Sequence, residues 1–374
     1  MITILLTFTI IVASIHILYL LYFRKGLLIE QTNRNSYYLP SITVIIPVRN
    51  EENNILECVN SLLLQTYPKF KYQIIIVDDH STDSTISKLE TILPNDNIQI
   101  LKVPNDVNSS SKINALTYGI NHSTSEIILT IDADCIAPNT LIESHAKLYD
   151  EWTSLITGAT TFEIRNNSFL ENIQALEYAG HNSLLCAVIG KRKLFTANGS
   201  NMSFRRNVFE LVNGFKNLPI SQSGEDTFFA QKVFKLKSYK IKYLLSDEAL
   251  VISKPAPSWM IYLKQRARWV YQTSNFELET LPFLVITFLF YLCIIICTIF
   301  SLYYRNIIPT LLYLFLAKLL TDLFFLFPYL KKLKLFNLLK YFIFAEIIHM
   351  PLTILSVFMG YIFNISWKDR NYSK

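Results

Sequence analysis

Two acids separated by one alanine, Asp132 and Asp134, close the apolar run EIILTIDADC over Glu126–Cys135. In a strand alternate side chains share a face, so this spacing points both carboxylates the same way at the strand end. Carboxylates held side by side repel unless positive charge lies between or beyond them. A hard divalent cation carrying a phosphate meets that need, and a plain acidic turn after a strand is the alternative. A second acidic pair, Glu225 and Asp226, sits in the stretch from Ser221, where SGEDTFFAQKVFKL reads as a capped helix. Acids in a first turn also serve simply to complete a helix dipole.

The elements that must position these acids read as alternating strand and helix. Ile42–Ile46 is a buried-type strand ended by Pro47, and a helix follows in which Ile55, Val59, Leu62 and Leu63 recur at helical spacing. Tyr72–Val77 is a second strand closed by Asp78 and Asp79, with Ser81 or Thr82 expected to cap the next helix. Ile98–Val103 is a third strand, Lys112–Ile120 a third helix, and Glu126–Cys135 the fourth strand. The alternation predicts an α/β fold on a doubly wound, mainly parallel sheet. Ligands of such sheets sit beyond the carboxyl ends of the strands. Pro47–Glu51, Asp78–Asp79 and Asp132–Asp134 all fall at such ends. Further along, Ser154–Phe162 reads as a strand, Phe169–Val188 as a helix, and TANGSNMSF over Thr196–Phe204 as a glycine-containing loop entering a strand. Tyr239–Leu245 is another strand, and Trp259–Tyr271 an amphipathic helix whose aromatic and basic residues suit a membrane surface.

The 374 residues are 51% hydrophobic, and the excess is concentrated. Ile2–Phe23 and Leu281–Tyr304 contain no Asp, Glu, Lys or Arg. Each is long enough to cross roughly 30 Å of hydrocarbon as a helix. Two further blocks, about Ile307–Tyr329 and Tyr341–Asn364, carry a few charges. The expected organisation is an N-terminal transmembrane helix over 1–23, one soluble domain over 30–280, a C-terminal region of about three spans over 281–365, and a polar tail over 366–374. Arg24 and Lys25 follow the first span, which sets the soluble block in the cytoplasm of an integral cell-membrane protein. Lys331, Lys332, Lys334 and Lys340 agree with that, whereas the basic tail with Lys368, Arg370 and Lys374 does not. Pro351 offers a break in the last block. Inside the spans, Lys318 and Asp322 lie four apart on one helix face, and Glu346 and His349 three apart. They either line a path for an acceptor or pair between helices. Five scattered cysteines suggest no disulfide framework, and a net charge of +6 fits anionic lipid and a phosphate substrate better than nucleic acid.

Taken together, VIIPVRNEENNI, IIIVDDHSTDST, SKINALTYG, TIDADC, TANGSNMSFRR, SGEDTFFA and QRARW resemble, in order and spacing, the membrane-bound family-2 glycosyltransferases. These are similar to cellulose, chitin and hyaluronan synthases and to lipid glycosyltransferases. The resemblance covers about residues 40–275 and implies the GT-A fold. The chain departs from the pattern at His80, where glycine is usual, and at Thr117, where asparagine is common. By position the resemblance implies that Pro47, Asn50, Glu51, Asp78 and Asp79 hold the nucleoside, with Lys112 near the diphosphate. Asp132 of the DxD motif would contact ribose or nucleotide, and Asp134 with Asp132 would ligate Mg²⁺ or Mn²⁺. Asp226, beside Glu225, would be the catalytic base. Gln265, Arg268 and Trp269 would form the QxxRW motif beside diphosphate and acceptor.

The chemistry is consistent with those roles. Sugar transfer leaves a nucleoside diphosphate that gathers negative charge, which a cation and Arg268 can stabilise. An acceptor hydroxyl is a poor nucleophile until a carboxylate takes its proton, and one base in a single displacement inverts the anomeric centre. Trp269 offers a face for a sugar or lipid head group, or else anchors the helix at the membrane interface. The expectation is an inverting hexosyl- or N-acetylhexosaminyltransferase using a nucleotide-diphosphate sugar, a UDP-sugar being favoured, and a lipid or lipid-linked acceptor. Processive polysaccharide synthesis and a non-catalytic membrane scaffold are the alternatives.

Overall fold

The computed structural model describes residues 2–29, 38–104, 112–218, 224–272, 281–362, 365–367 and 370–372. Ser221 and part of the 366–374 tail fall outside them. The elements run α1 (Ile2–Leu27), β1 (Ile42–Val48), α2 (Ile55–Leu63), β2 (Tyr72–Asp78), α3 (Thr85–Glu90), β3 (Ile98–Lys102), α4 (Lys112–Asn121) and β4 (Ile127–Thr130). Next come β5 (Cys135–Ile136), α5 (Leu141–Leu148), β6 (Thr153–Gly158), β7 (Thr160–Phe162), α6 (Phe169–Gly190), β8 (Met202–Arg205), α7 (Arg206–Leu211) and α8 (Glu225–Lys235). The rest are β9 (Lys240–Leu244), β10 (Val251–Ser253), α9 (Trp259–Gln272), α10 (Leu281–Phe300), α11 (Ile308–Lys332), α12 (Phe342–Ile362), β11 (Ile365–Trp367) and β12 (Arg370–Tyr372). They divide into a sheet unit, residues 30–163 and 196–254, and a helical unit, residues 1–29, 164–195 and 255–374. α6 and α9 fall in the helical unit.

In the sheet unit, seven strands lie in the order β3-β2-β1-β4-β8-β6-β9. β3, β2, β1 and β4 are mutually parallel, while β8 runs antiparallel to both β4 and β6. Because Ile42, Val44, Ile45, Ile46, Ile74, Ile75 and Ile76 are all fully buried, β1 and β2 are covered on both faces. That accounts for their unbroken aliphatic runs. The reversal of β8 brings its N-terminal end, and the loop before it, to the same edge as the C-terminal ends of β1, β2 and β4.

Three local expectations are corrected. β4 stops at Thr130, so Asp132 and Asp134 belong to the turn beyond it, closed by the Cys135 N–H donating to Asp132 O at 3.0 Å. The stretch 154–162 is two strands in two sheets, with β7 joining β10 and β5 in a three-stranded sheet. α3 starts at Thr85 after Ser84, because Ser81 and Thr82 are used elsewhere: their N–H groups donate to Asp78 Oδ1 at 3.1 Å and Asn50 Oδ1 at 2.8 Å.

The helical unit contains four helices long and apolar enough to cross a membrane: Ile2–Leu27, Leu281–Phe300, Arg305–Lys332 and Phe336–Ile362. α12 runs through Pro351 without ending. α1 and α6 meet backbone to backbone, because a Cβ on Gly26 would sit 2.0 Å from Ala187 O and one on Gly190 2.1 Å from Gly26 O. Lys318 is 1% exposed and its Nζ donates to Asp322 Oδ2 at 2.7 Å and to Glu346 Oε2. The same-face pairing of Lys318 and Asp322 is therefore present, and it ties α11 to α12. Replacing Lys318 by methionine is expected to lower unfolding free energy by about 3–5 kcal/mol, because two buried carboxylates lose their ammonium. Chemical unfolding in detergent micelles measures this; no loss would mean the ion group does not brace these helices.

Candidate active site

One cleft at the β1–β4–β8 edge is lined by Pro47, Lys112, Asp132, Gly199, Glu225 and Asp226, with apolar walls from Leu116, Met202 and Phe215. Lys112 opens α4 and its Nζ donates to Asp132 Oδ1 at 2.6 Å and Glu225 Oε1 at 3.1 Å. Burial works against its charge, but Asp132, Glu225 and Asp226 together hold it well above the usual lysine range. Lys112 is thus a fixed cation in the middle of three acids. Asp132 leaves 35% of its side chain open, whereas Glu225 is 6% exposed.

Asp226 is seated by backbone. Its Oδ2 accepts the Gly199 N–H at 2.8 Å and its Oδ1 the Thr227 N–H at 2.7 Å. Burial and the neighbouring Glu225 push its carboxyl up to about 6, against the pull of Lys112 and the two amides. A carboxyl in that range exchanges a proton near neutral pH. Two glycines make the seat. Gly224 takes φ 88 just before α8, a left-handed conformation that turns the chain into the helix. At Gly199 a Cβ would lie 2.9 Å from Asp226 Oδ2. The Gly199 loop is fixed in turn by Thr130 Oγ1, which donates to Gly199 O at 2.8 Å.

The loops after β1 and β2 form a second polar cluster. Asp78, Asp79 and Glu51 are buried. Asp79 N–H donates to Val48 O at 2.8 Å, Asn50 N–H to Ser81 Oγ at 3.1 Å and Glu51 N–H to Thr85 Oγ1 at 2.9 Å. Glu51 Oε2 accepts from Asn54 Nδ2 at 2.8 Å. Asn50 and His80 both take positive φ, 53 and 62. The two loops are therefore laced into one rigid shelf beside Pro47. Asp134 lies in the same turn as Asp132, its Oδ1 3.6 Å from Cys135 Sγ.

Gln265, Arg268 and Trp269 lie on α9, in the helical unit. There the Trp269 ring stacks on Tyr178 and His181 of α6, with centroids 5.8 and 6.0 Å away. One turn back, Glu177 accepts from Tyr262 Oη at 2.5 Å, Arg266 Nη1 at 2.9 Å and His349 Nδ1 at 2.7 Å. Burial alone would raise Glu177; these partners hold it down at about 2. Sequence reasoning missed Glu177, whose signal was an acid in the middle of α6, a helix that also buries Asn172, Gln174 and Asn182.

Comparison with known proteins shows what this domain is similar to. Residues 43–212 match Glycosyl transferase family 2. Over that stretch, a little under half of the chain, the sequence is similar to the family-2 glycosyltransferases. The match takes in Pro47 through Asp132 and the Gly199 loop, and stops short of Glu225 and Asp226. The chain is 26% identical over 250 residues to the probable glycosyltransferase YdaM of Bacillus subtilis (strain 168), covering 64% of this chain and 57% of that protein. It is 31% identical over 188 residues to the glycosyltransferase AglE of Haloferax volcanii, covering 49% and 58% respectively. The chain thus spans a little over half the length of these two relatives. Among solved structures, the mannosyltransferase PcManGT from Pyrobaculum calidifontis, in complex with GDP-Man and Mn²⁺, superposes with a TM-score of 0.62 at 18% identity. The superposition covers 95% of this chain and 98% of that one. The fold is GT-A, a mixed-sheet α/β domain accompanied by apolar helices.

The Gly199 contact makes a stability prediction. Gly199→Ala is expected to cost about 1–3 kcal/mol, because the new methyl displaces a carboxylate that two amides hold. Urea unfolding of the purified protein measures it; unchanged stability would show that Asp226 has room to move.

Proposed function

We propose that this chain transfers a sugar, hexosyl or N-acetylhexosaminyl, from a nucleotide-diphosphate sugar to a hydroxyl of a lipid or lipid-linked acceptor, inverting the anomeric centre. The observation that carries the reading is Asp226, seated by two N–H groups beside the Lys112–Glu225 pair in the cleft at the strand ends. The four apolar helices support a membrane-embedded enzyme, for which a lipid acceptor is within reach, and Arg24 and Lys25 after the first of them favour a cytoplasmic catalytic domain.

The shelf formed by Pro47, Asn50, Glu51, Asp78 and Asp79 would receive the nucleoside, a uridine diphosphate sugar being favoured. Lys112 would meet the diphosphate, and Asp132, still 35% open, the ribose or nucleotide. Among the described residues no group of three or more His, Cys, Asp or Glu side chains surrounds a metal position. Asp134 and Asp132 supply hard oxygens only, which fits a cation that completes its shell on substrate phosphates rather than in a protein cage. Mg²⁺ or Mn²⁺ would be held there, and when bound it stabilises charge on the leaving diphosphate. That PcManGT was solved with GDP-Man and Mn²⁺ supports both ligand classes. Asp226, ionised, would take the proton of the acceptor hydroxyl, with Glu225 beside it keeping the carboxylate basic. Gln265, Arg268 and Trp269 would serve the diphosphate and the acceptor.

Asp226→Asn is expected to lower kcat by about 10²- to 10⁴-fold while nucleotide Kd stays within about threefold. Nucleoside diphosphate release with a panel of UDP- and GDP-sugars, divalent cation and membrane lipid extract measures it, and full activity would remove Asp226 as the base. The base must be ionised, so the rate should rise with pH through about 6, where the Asp226 carboxyl titrates. Glu225→Gln, which removes a neighbouring negative charge, should move that limb to lower pH; a limb that stays put or moves up would contradict the assignment. Asp134→Ala should abolish the metal-dependent part of donor binding, read by calorimetry with and without Mn²⁺; an undiminished metal response would exclude Asp134 as a ligand.

A further inference from the structure

A directed chain of buried hydrogen bonds leads from α5 to the loop that holds Asp226. His145, Tyr149, Asn201 and Ser203 are each 0% exposed. Asn201 Nδ2 lies 2.8 Å from Ala159 O and 3.0 Å from Ala249 O. Carbonyls only accept, so both must face the amide NH₂, which sets the amide's orientation. Asn201 Oδ1 is then the atom 2.8 Å from His145 Nε2, and the imidazole must carry its proton on Nε2 to donate there. His145 Nδ1 is left as an acceptor, 2.8 Å from Ser203 Oγ, and Ser203 in turn lies 2.9 Å from Tyr149 Oη. The polarity runs one way, from the Tyr149 hydroxyl through Ser203 and His145 to Asn201 and two carbonyls. The arrangement requires a neutral ring, and burial pushes His145 down to about 4.

Asn201 stands two residues after Gly199. Space for its amide is reserved by Gly158, where a Cβ would sit 2.5 Å from Asn201 Nδ2. On the other side of Gly199, Asn198 is anchored too: its N–H donates to Thr157 Oγ1 at 3.0 Å and its Nδ2 to Thr160 Oγ1 at 2.6 Å. Gly199 is therefore strung between two asparagines that cannot shift, and its N–H is the one aimed at Asp226 Oδ2. Apolar side chains would fill this core at less cost than four buried polar ones. A fully satisfied polar chain has one geometry, which packed methyls do not guarantee.

We propose that His145 and Asn201 are positioning residues for the Asp226 carboxylate, acting through the Gly199 N–H. The proposal rests on the reading of Asp226 as the base. It predicts that the pair governs turnover and leaves nucleotide binding alone.

The test compares wild type with His145→Phe, His145→Gln and Asn201→Ala in lipid nanodiscs. A base displaced by about 1 Å loses of the order of 10²-fold in rate. His145→Phe and Asn201→Ala are therefore expected to lower kcat about 10- to 100-fold, with donor KM and the number of nucleotide sites per chain unchanged. His145→Gln, whose amide NH₂ can still donate to Asn201 Oδ1, should recover most of the loss. Hydrogen–deuterium exchange gives a readout independent of activity: peptides over 196–204 should exchange faster in Asn201→Ala, with those over 225–235 unchanged. Undiminished kcat in both disrupting variants overturns the proposal, as does a loss of kcat matched by a loss of nucleotide sites, which would mark plain unfolding. Wild-type protein that releases no nucleoside diphosphate with any donor would instead defeat the transfer reading; unchanged exchange over 196–204 would then defeat the positioning chain separately.

Discussion

The site depends on one ammonium set among acids. Lys112 touches Asp132 and Glu225 and feels Asp226. Without it, three carboxylates would crowd an edge walled by Leu116, Met202 and Phe215, and each would have to be protonated or displaced. With it, the acids still outnumber the cation that contacts them. A cleft left with an excess of negative charge and an open Asp132 is poised to accept positive charge or to give a proton acceptor. Both are what the transfer of a sugar from a diphosphate requires.

The backbone makes this tolerable. Four parallel strands deliver their C-terminal ends to one edge, and the antiparallel β8 delivers an N-terminal end to the same place. Loops from both directions can then face each other across a few ångströms. Asp226 and the Gly199 N–H come from segments that are far apart in sequence, and they meet only because β8 is reversed. A wholly parallel sheet would have put that loop at the opposite edge.

The alternation of strands and helices up to Asp132 was legible because β1, β2 and β4 are runs of buried aliphatics followed by polar residues, with β3 a half-buried alternating strand at the sheet edge. Lys112, Asp132, Glu225 and Asp226, taken from motifs, do converge on one cleft. Other features were hidden for definite reasons. The extent of β4 was misread because Ile131, apolar and buried, continues the hydrophobic run into the turn. The break between β6 and β7 in SLITGATTF falls at Gly158 and Ala159, a weak strand interruption set inside an otherwise continuous strand pattern. That α6 and α9 belong with the apolar helices follows from tertiary contacts which no local pattern encodes. His145 carried a faint signal, a polar residue on the buried face of α5, and Asn201, in the short turn before β8, carried none.

Those misfits share a logic. In the helical unit, Glu177 gathers Tyr262, Arg266 and His349, and Lys318 gathers Asp322 and Glu346. In the sheet unit, Asn201 gathers His145 and two carbonyls. Each is a buried polar centre whose partners come from different elements. A hydrophobic contact tolerates sliding, because one methyl packs nearly as well as the next. A buried polar centre does not, because a shift of an ångström leaves a donor or acceptor with nothing to bind. Such centres therefore belong where register matters more than net stability. In this chain they fall under the loop that seats Asp226, under the helix that bears Gln265, Arg268 and Trp269, and between the apolar helices α11 and α12.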